Sequence, residues 1–283
     1  MQIFESPADF QAYALSLRAA GRRIALVPTM GNLHEGHLSL VRMAREHADA
    51  VLVSDFVNPI QFGPNEDFAA YPRTFEDDCA KCEAEEVAAI FHPAPDAMYL
   101  PDASVSLVEK SLSRFLCGAS RPGHFNGVCT VVCKLFNLAV PHVAVFGQKD
   151  AQQLAIIRRM VRDLSIPVEI LSAPISREPD GLARSSRNQY LTPEQRAQAP
   201  ALHAALVHAA LLYAQGERSA PVLVESVRST LSTLAPLSNP EYVTVSDADT
   251  LEPLDGPISA PALLALAVRF GTTRLIDNTT LPV

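Results

Sequence analysis

Residues 27–41, VPTMGNLHEGHLSLV, constrain what this chain can fold into more than any other stretch. They close an apolar run, Ile24-Ala25-Leu26-Val27, that reads as a buried strand. Pro28 ends the strand because it has no N–H to donate, and Gly31 and Gly36 admit tight turns. From His37 onward Leu38, Val41 and Ala44 fall at helical spacing, so a helix is predicted from about residue 36 to 47. The order is strand, glycine-containing loop, helix. A helix N-terminus offers free N–H groups and partial positive charge, which suit a phosphate, and two imidazoles, His34 and His37, stand in that turn. Zinc is the competing reading, because His-Glu-Gly-His superficially resembles HExxH. The spacing fails: these histidines are three apart, and Gly36 interrupts the helix that motif needs.

The rest of the chain extends the pattern. Residues 7–20 read as a short amphipathic helix with Ser6 as N-cap. Residues 50–57 form a second apolar run, a strand buried on both faces as in a parallel sheet, and deliver Asn58-Pro59-Ile60-Gln61-Phe62. A polar helix over 67–86 follows, with Asp77 and Asp78 on its solvated face, then strands at 87–91 and 104–108 and a turn of helix at 111–115. Arg121-Pro122-Gly123-His124-Phe125-Asn126-Gly127 is a rigid loop feeding a helix over 128–137. Strand 143–146 ends at Gly147-Gln148-Lys149-Asp150, helix 151–164 carries Gln152 and Gln153 in its first turn, and 167–171 is a fifth strand. This alternation predicts an α/β fold with a Rossmann-like, doubly wound parallel sheet. The polar motifs recur at strand C-termini, at 28–37, 58–62 and 147–153, where ligands bind open α/β sheets.

Near Ser176 the character changes. Residues 177–188, REPDGLARSSRN, lack an apolar period and read as a long functional loop, in which two hydroxyls followed by Arg187 suit phosphate oxygens. Helices at 193–215 and 221–234 and short strands at 242–245, 263–268 and 273–276 complete a smaller α+β domain. The expected domains are therefore 1–176 and 177–283, the second with its loop as hinge and lid.

Composition narrows the partners. A net charge of −8 argues against nucleic acid, so an anionic substrate must be met by locally placed Lys, Arg or His. The N-terminus lacks a basic segment followed by an apolar core, and the longest apolar stretch is broken by Lys134, Asn137, Pro141 and His142. No signal peptide, no membrane span and a cytoplasmic location are expected. Five Cys, an odd number, fit reduced thiols. Cys79-x-x-Cys82 and Cys129-x-x-x-Cys133 match no common zinc module, and no protein metal site is predicted.

His34-Glu35-Gly36-His37 looks like the HIGH motif of the nucleotidylyltransferase superfamily. Together with Phe56-Val57-Asn58-Pro59-Ile60-Gln61-Phe62, Arg121-Pro122-Gly123-His124-Phe125, Gly147-Gln148-Lys149-Asp150-Ala151-Gln152-Gln153, Ser185-Ser186-Arg187-Asn188 and Leu275-Ile276-Asp277-Asn278, it resembles the pantothenate synthetase (pantoate–β-alanine ligase) family in motif order. The resemblance implies an AMP-forming ligase that condenses pantoate with β-alanine, using ATP and Mg2+, through a pantoyl-adenylate, and a homodimer. It implies His34, His37, Lys149 and Arg187 as catalytic groups meeting phosphoryl charge, with His37 as proton donor. Met30, Gly31, Asn32, Leu33, His34, Glu35, Gly36 and His37 would surround the nucleotide. Gly147, Gln148, Lys149, Asp150, Ser176 and Arg184 would line it, and Ser185, Ser186 and Arg187 would close over its phosphates. Gln61 and Gln153 would hold pantoate. A magnesium role for Asp77 and Asp78 is suggested by the family alone.

Three residues depart from the family pattern. Arg184 stands where an apolar residue is usual, Asp55 replaces an aliphatic residue in the second strand, and Gln148 replaces a common Glu. Asp55 needs a partner that local sequence does not name. Two rivals remain at this stage. A nucleotidylyltransferase acting on a phosphate acceptor would call for more cations than Gln61 and Gln153 supply. A catalytically silent nucleotide-binding module would not need the His, Lys and Ser-Ser-Arg set.

Overall fold

The structure, a computed structural model, describes residues 1–64 and 66–282. Its strands are β1 (Gln2–Phe4), β2 (Ile24–Thr29), β3 (Ala50–Asp55), β4 (Ala89–Phe91), β5 (Val143–Gly147), β6 (Glu169–Ala173), β7 (Ser238–Asp247), β8 (Ala262–Phe270) and β9 (Thr273–Leu281). Its helices are α1 (Pro7–Ala19), α2 (Glu35–His47), α3 (Phe75–Ala84), α4 (Pro95–Met98), α5 (Leu116–Ser120), α6 (His124–Ala139), α7 (Ala151–Asp163), α8 (Pro193–Gln198), α9 (Ala201–Ala214) and α10 (Ala220–Leu234). The chain divides into two compact units: Met1–Lys110, Arg121–Gln148 and Gln153–Pro174 in one, Ser111–Ser120, Lys149–Gln152 and Ile175–Val283 in the other.

The first unit is built on a six-stranded, all-parallel sheet in the order β1-β4-β3-β2-β5-β6. Side chains alternate across a strand, so β2 sends Ala25 and Val27 to one face and Ile24 and Leu26 to the other. The first face packs on Leu40, Val41 and Ala44 of α2 and Cys82 of α3. On α1, Phe10 stacks on Phe91 of β4 at 4.4 Å between ring centroids. Burial on both faces explains why these strands read as unbroken apolar runs. From β2 the chain winds outward through β3 and β4, then returns to place β5 on the other side of β2. That reversal makes the C-terminal ends of β2 and β5 the switch point, where such sheets open a crevice.

In the second unit β7, β8 and β9 form an antiparallel meander. Leu202, Leu206 and Ala209 of α9 and Leu223, Val227 and Leu231 of α10 share a core with Leu264, Leu266 and Val268 of β8.

Several boundaries differ from the sequence reading, each for a local reason. Ser6 caps α1 through the Asp9 amide, as expected. The helix expected over 67–86 begins only at Phe75, after a turn at 67–70 and an irregular stretch that contains Pro72. The strand expected at 104–108 does not form: the Leu107 amide donates to Thr130 Oγ1 at 3.0 Å and the Glu109 amide to Asn126 Oδ1 at 3.3 Å, so α6 side chains take the place of a ladder. The helix expected over 193–215 is two, broken at Pro200, which has no N–H to continue the first. Strand β1 was too short to show a period. Among the described residues no helix is long and apolar enough to cross a membrane.

Candidate active site

The turn between β2 and α2 is held from three sides. Thr29 Oγ1 donates to the Ser54 carbonyl at 2.7 Å and accepts from the Gly31 amide at 3.2 Å. Gly31 has φ +75°, and a Cβ there would run into the Asp55 carboxylate, so both the conformation and the contact require glycine. Asp78 of α3, fully buried, accepts from the Asn32 amide at 2.8 Å, the Leu33 amide at 2.7 Å and Thr74 Oγ1 at 3.0 Å. Lys81, one turn on, donates to the Leu33 carbonyl at 2.8 Å. This corrects the reading of Asp78 as a residue on a solvated helix face: its carboxylate is the anchor of the His turn. Asp77 beside it is exposed.

His34 and His37 cap α2 reciprocally. His34 Nδ1 accepts from the Gly36 amide at 3.1 Å, and His37 Nδ1 accepts from the His34 amide at 3.3 Å; the rings lie 4.2 Å apart. An imidazole that accepts at Nδ1 keeps its proton at Nε2. In each ring of this turn the N–H therefore lies at Nε2, beside the helix N-terminus.

At the end of β3, Pro59–Gln61 forms a single 3-10 turn. Gln61 is buried; its amide donates to Met30 Sδ at 3.0 Å and accepts from Asn58 Nδ2 at 3.0 Å. Asn58 is locked in turn by Tyr99 Oη, which donates at 2.7 Å. The Arg121–Gly127 motif explains itself here. His124 Nδ1 donates to the Gln61 carbonyl at 2.8 Å, Arg121 Nη1 donates to His124 Nε2 at 2.9 Å, and Arg121 pairs with Glu66 through two bonds at 2.7 and 2.5 Å. Gly127 lets the α6 backbone touch the main chain of Ile60 and Gln61, where a Cβ would clash. Sequence reasoning saw this motif as a rigid loop and missed its role as the brace of Gln61.

Asp55, the unexplained carboxylate of β3, lies 3.8 Å from His92 Nδ1, whose ring N–H donates to the Asp55 carbonyl at 2.8 Å. Burial pushes the Asp55 carboxyl up to about 6, opposed by His92 and reinforced by Asp78. A raised carboxyl destabilises the fold when ionised, so the cost is absent below the ordinary value near 4 and complete above 6. Asp55→Asn is expected to stabilise the protein at pH 8 by about 3 kcal/mol and to leave it nearly unchanged at pH 4. Urea unfolding at both pH values measures this, and an equal effect at both would refute the assignment.

At the switch point β5 ends in Gly147, where an added Cβ would lie 4.0 Å from the side chain of Leu40 on α2. Gln148 accepts from Ser172 Oγ at 2.7 Å, a tie to β6 that an amide oxygen supplies without charge. Gln153 is half-buried on α7. The first unit thus carries Met30 to His37, Gln61, Gly147, Gln148 and Gln153.

The second unit carries the remaining residues. Lys149 and Asp150 lie in a 3-10 turn, Lys149 Nζ 3.7 Å from Asp150 Oδ2. The loop after Ile175 is more ordered than its composition suggested. Arg177 and Ala183 form an antiparallel bridge, Gly181 turns at φ +93°, and the Arg184 amide donates to the Ser176 carbonyl at 2.9 Å. Arg184 Nε donates to the Arg177 carbonyl at 3.2 Å, which gives this departure a structural task. Ser185 then caps a 3-10 helix, Ser186–Tyr190, by accepting from the Arg187 amide at 3.3 Å.

The cysteines are free thiols, and burial pushes Cys82 and Cys129 up to about 12, so both stay protonated and inert. Among the described residues no group of three or more His, Cys, Asp or Glu could hold a metal ion.

Known proteins align with this chain along its whole length. The family model described as pantoate-beta-alanine ligase matches residues 2–280. The pantothenate synthetase of Thermotoga petrophila is 52% identical over 281 residues, 99% of this chain and 100% of that protein. A crystal structure of pantothenate synthetase from Thermus thermophilus superposes with a TM-score of 0.93 at 41% identity, covering 100% of both chains. That of the Francisella tularensis pantoate-beta-alanine ligase, described as complexed with beta-gamma ATP and beta-alanine, gives 0.79 at 31% identity, covering 99% of this chain and 97% of that one. With half of its residues identical to a full-length relative, the same two-sheet fold and a capped His turn at the switch point, this chain belongs to the pantoate–β-alanine ligase family.

Proposed function

We propose that the protein condenses pantoate with β-alanine at the expense of ATP, forming pantothenate by way of a pantoyl-adenylate. The observation that carries this reading is the reciprocal cap of His34 and His37, which presents two imidazole N–H donors at a helix N-terminus on the switch point of a parallel sheet. A carboxylate does not react with an amine until its oxygen becomes part of a leaving group. One pantoate oxygen attacks the α-phosphorus, the bond to the β-phosphate oxygen breaks, and pyrophosphate leaves. The amine nitrogen of β-alanine then attacks the acyl carbon, AMP departs with that pantoate oxygen, and the nitrogen loses its proton.

Charge grows on phosphoryl oxygens in the first step, and fixed donors stabilise it most. His34 and His37 donate through Nε2–H, Lys149 and Arg187 supply full charges, and Ser185 and Ser186 add hydroxyls. Met30 to His37, Gly147, Gln148, Asp150, Ser176 and Arg184 hold the nucleotide, while Gln61 and Gln153 hold pantoate with uncharged amides. In this reading residues 1–176 bind ATP and pantoate, and 177–283 form the lid domain. Mg2+, if bound with the phosphates, would supply charge that offsets theirs. Asp78 does not fit as its ligand, because the backbone amides of Asn32 and Leu33 already occupy its oxygens. We further propose a cytoplasmic homodimer.

Heavy oxygen in the pantoate carboxylate tests the route. One labelled oxygen is expected in AMP, none in pyrophosphate, and no ADP should form. Label in inorganic phosphate would mean attack at the γ-phosphorus, and unlabelled AMP would also reject the adenylate.

A further inference from the structure

Asp277 and Asn278 of β9 are 2% and 4% exposed, and the proposed reaction assigns neither a role. Burying a carboxylate and an amide is costly unless each is bonded. Asp277 takes both nitrogens of Arg177, at 2.7 and 3.0 Å, and Arg177 Nη1 also donates to the Gly181 carbonyl at 3.0 Å. This fixes the start of the loop that leads to Ser185, Ser186 and Arg187. Asn278 Nδ2 donates to the main-chain carbonyl of Lys149 at 2.9 Å.

Lys149 sits in a three-residue 3-10 turn. So short a turn has almost no hydrogen-bond ladder of its own, and its orientation depends on bonds from outside. Beyond the Ser172 bond to Gln148, two further side chains hold it. Gln152, just beyond, donates from Nε2 to the carbonyls of Leu112 at 2.8 Å and Phe115 at 2.7 Å. Asn278 grips the turn at Lys149 itself. The loop and the turn, which carry the two full cations of the proposed reaction, are thereby fastened to adjacent residues of one strand.

We infer that Asn278 is a positioning residue for phosphoryl transfer, aiming Lys149 through a hydrogen bond to its backbone carbonyl. This rests on the proposed function. Misplacement of a reacting group by about an ångström costs on the order of a hundredfold in rate. Asn278→Ala should therefore slow pantoate-dependent ATP–pyrophosphate exchange about a hundredfold. Its KM for pantoate, and its conversion of supplied pantoyl-adenylate with β-alanine, should stay close to wild type, because neither step needs charge placed at the pyrophosphate leaving group. Asn278→Asp is the near-isosteric control: an ionised carboxylate cannot donate to the carbonyl, whereas its protonated form can. Its exchange relative to wild type should therefore recover as pH falls, while that of Asn278→Ala does not.

The separation of the two half-reactions is decisive. A fall of at least about tenfold in exchange (about 1.4 kcal/mol) that spares the amine step supports the inference. A smaller fall, an equal fall in both steps, or no recovery of Asn278→Asp on acidification overturns it. A wild-type protein that exchanges no pyrophosphate would instead overturn the function on which it rests.

Discussion

His37→Ala is expected to remove pantoate-dependent adenylation, lowering turnover by about a hundred- to a thousandfold, while the protein stays folded. The ring has two separable tasks. Its Nδ1 accepts the His34 amide and so caps α2, a contribution of about 1 kcal/mol. In the proposed reaction its Nε2–H is aimed at charge that develops only in the transition state, so the loss should fall on kcat rather than on KM for ATP. His37→Gln separates the tasks, because a glutamine three residues into a helix can reach back to the cap amide but puts no ring N–H in the same place. It should restore stability and leave turnover low. A folded His37→Ala protein within tenfold of wild-type kcat would remove His37 from the chemistry.

The second large effect is expected at Asp78, in stability first and activity second. Asp78→Ala leaves the amides of Asn32 and Leu33 without their acceptor, at about 1–3 kcal/mol each. Asn32 sits at φ +50°, a conformation of order 1 kcal/mol above the usual basins that the carboxylate helps to hold. A loss of about 3–5 kcal/mol is expected, read as a lower urea midpoint, together with weaker ATP binding by the residual folded protein. Unchanged unfolding would show that the turn does not need its anchor.

These two residues mark where the sequence was legible and where it was not. The strand–turn–helix around His37 is local: apolar period, proline, glycines and histidines fall within fifteen residues. The same holds for β3 and β5, so the parallel sheet could be read from spacing alone, whereas Gln61 stood out only through the family resemblance. Asp78 could not, because its partners are main-chain amides 45 and 46 positions away and its neighbours Glu76 and Asp77 are exposed. A carboxylate looks the same in sequence whether it meets water or a distant backbone. Asp55 and His92, 37 positions apart, pose the same difficulty. The lost strand at 104–108 has the opposite cause: the local pattern was right for an extended segment, but side chains of α6 claimed its amides.

Gly127 has a consequence for anyone redesigning the acid that such a ligase accepts. Main chain meets main chain where α6 passes Ile60 and Gln61, with no side chain between them to trim or extend. The height of Gln61 is therefore not a dial that can be turned in methylene-sized clicks. Even a single methyl at 127 has to lift the whole turn, its bond to Asn58 and its brace from His124 together. Selection for a new substrate has to work through residues whose side chains can change by small steps, and will find position 127 closed.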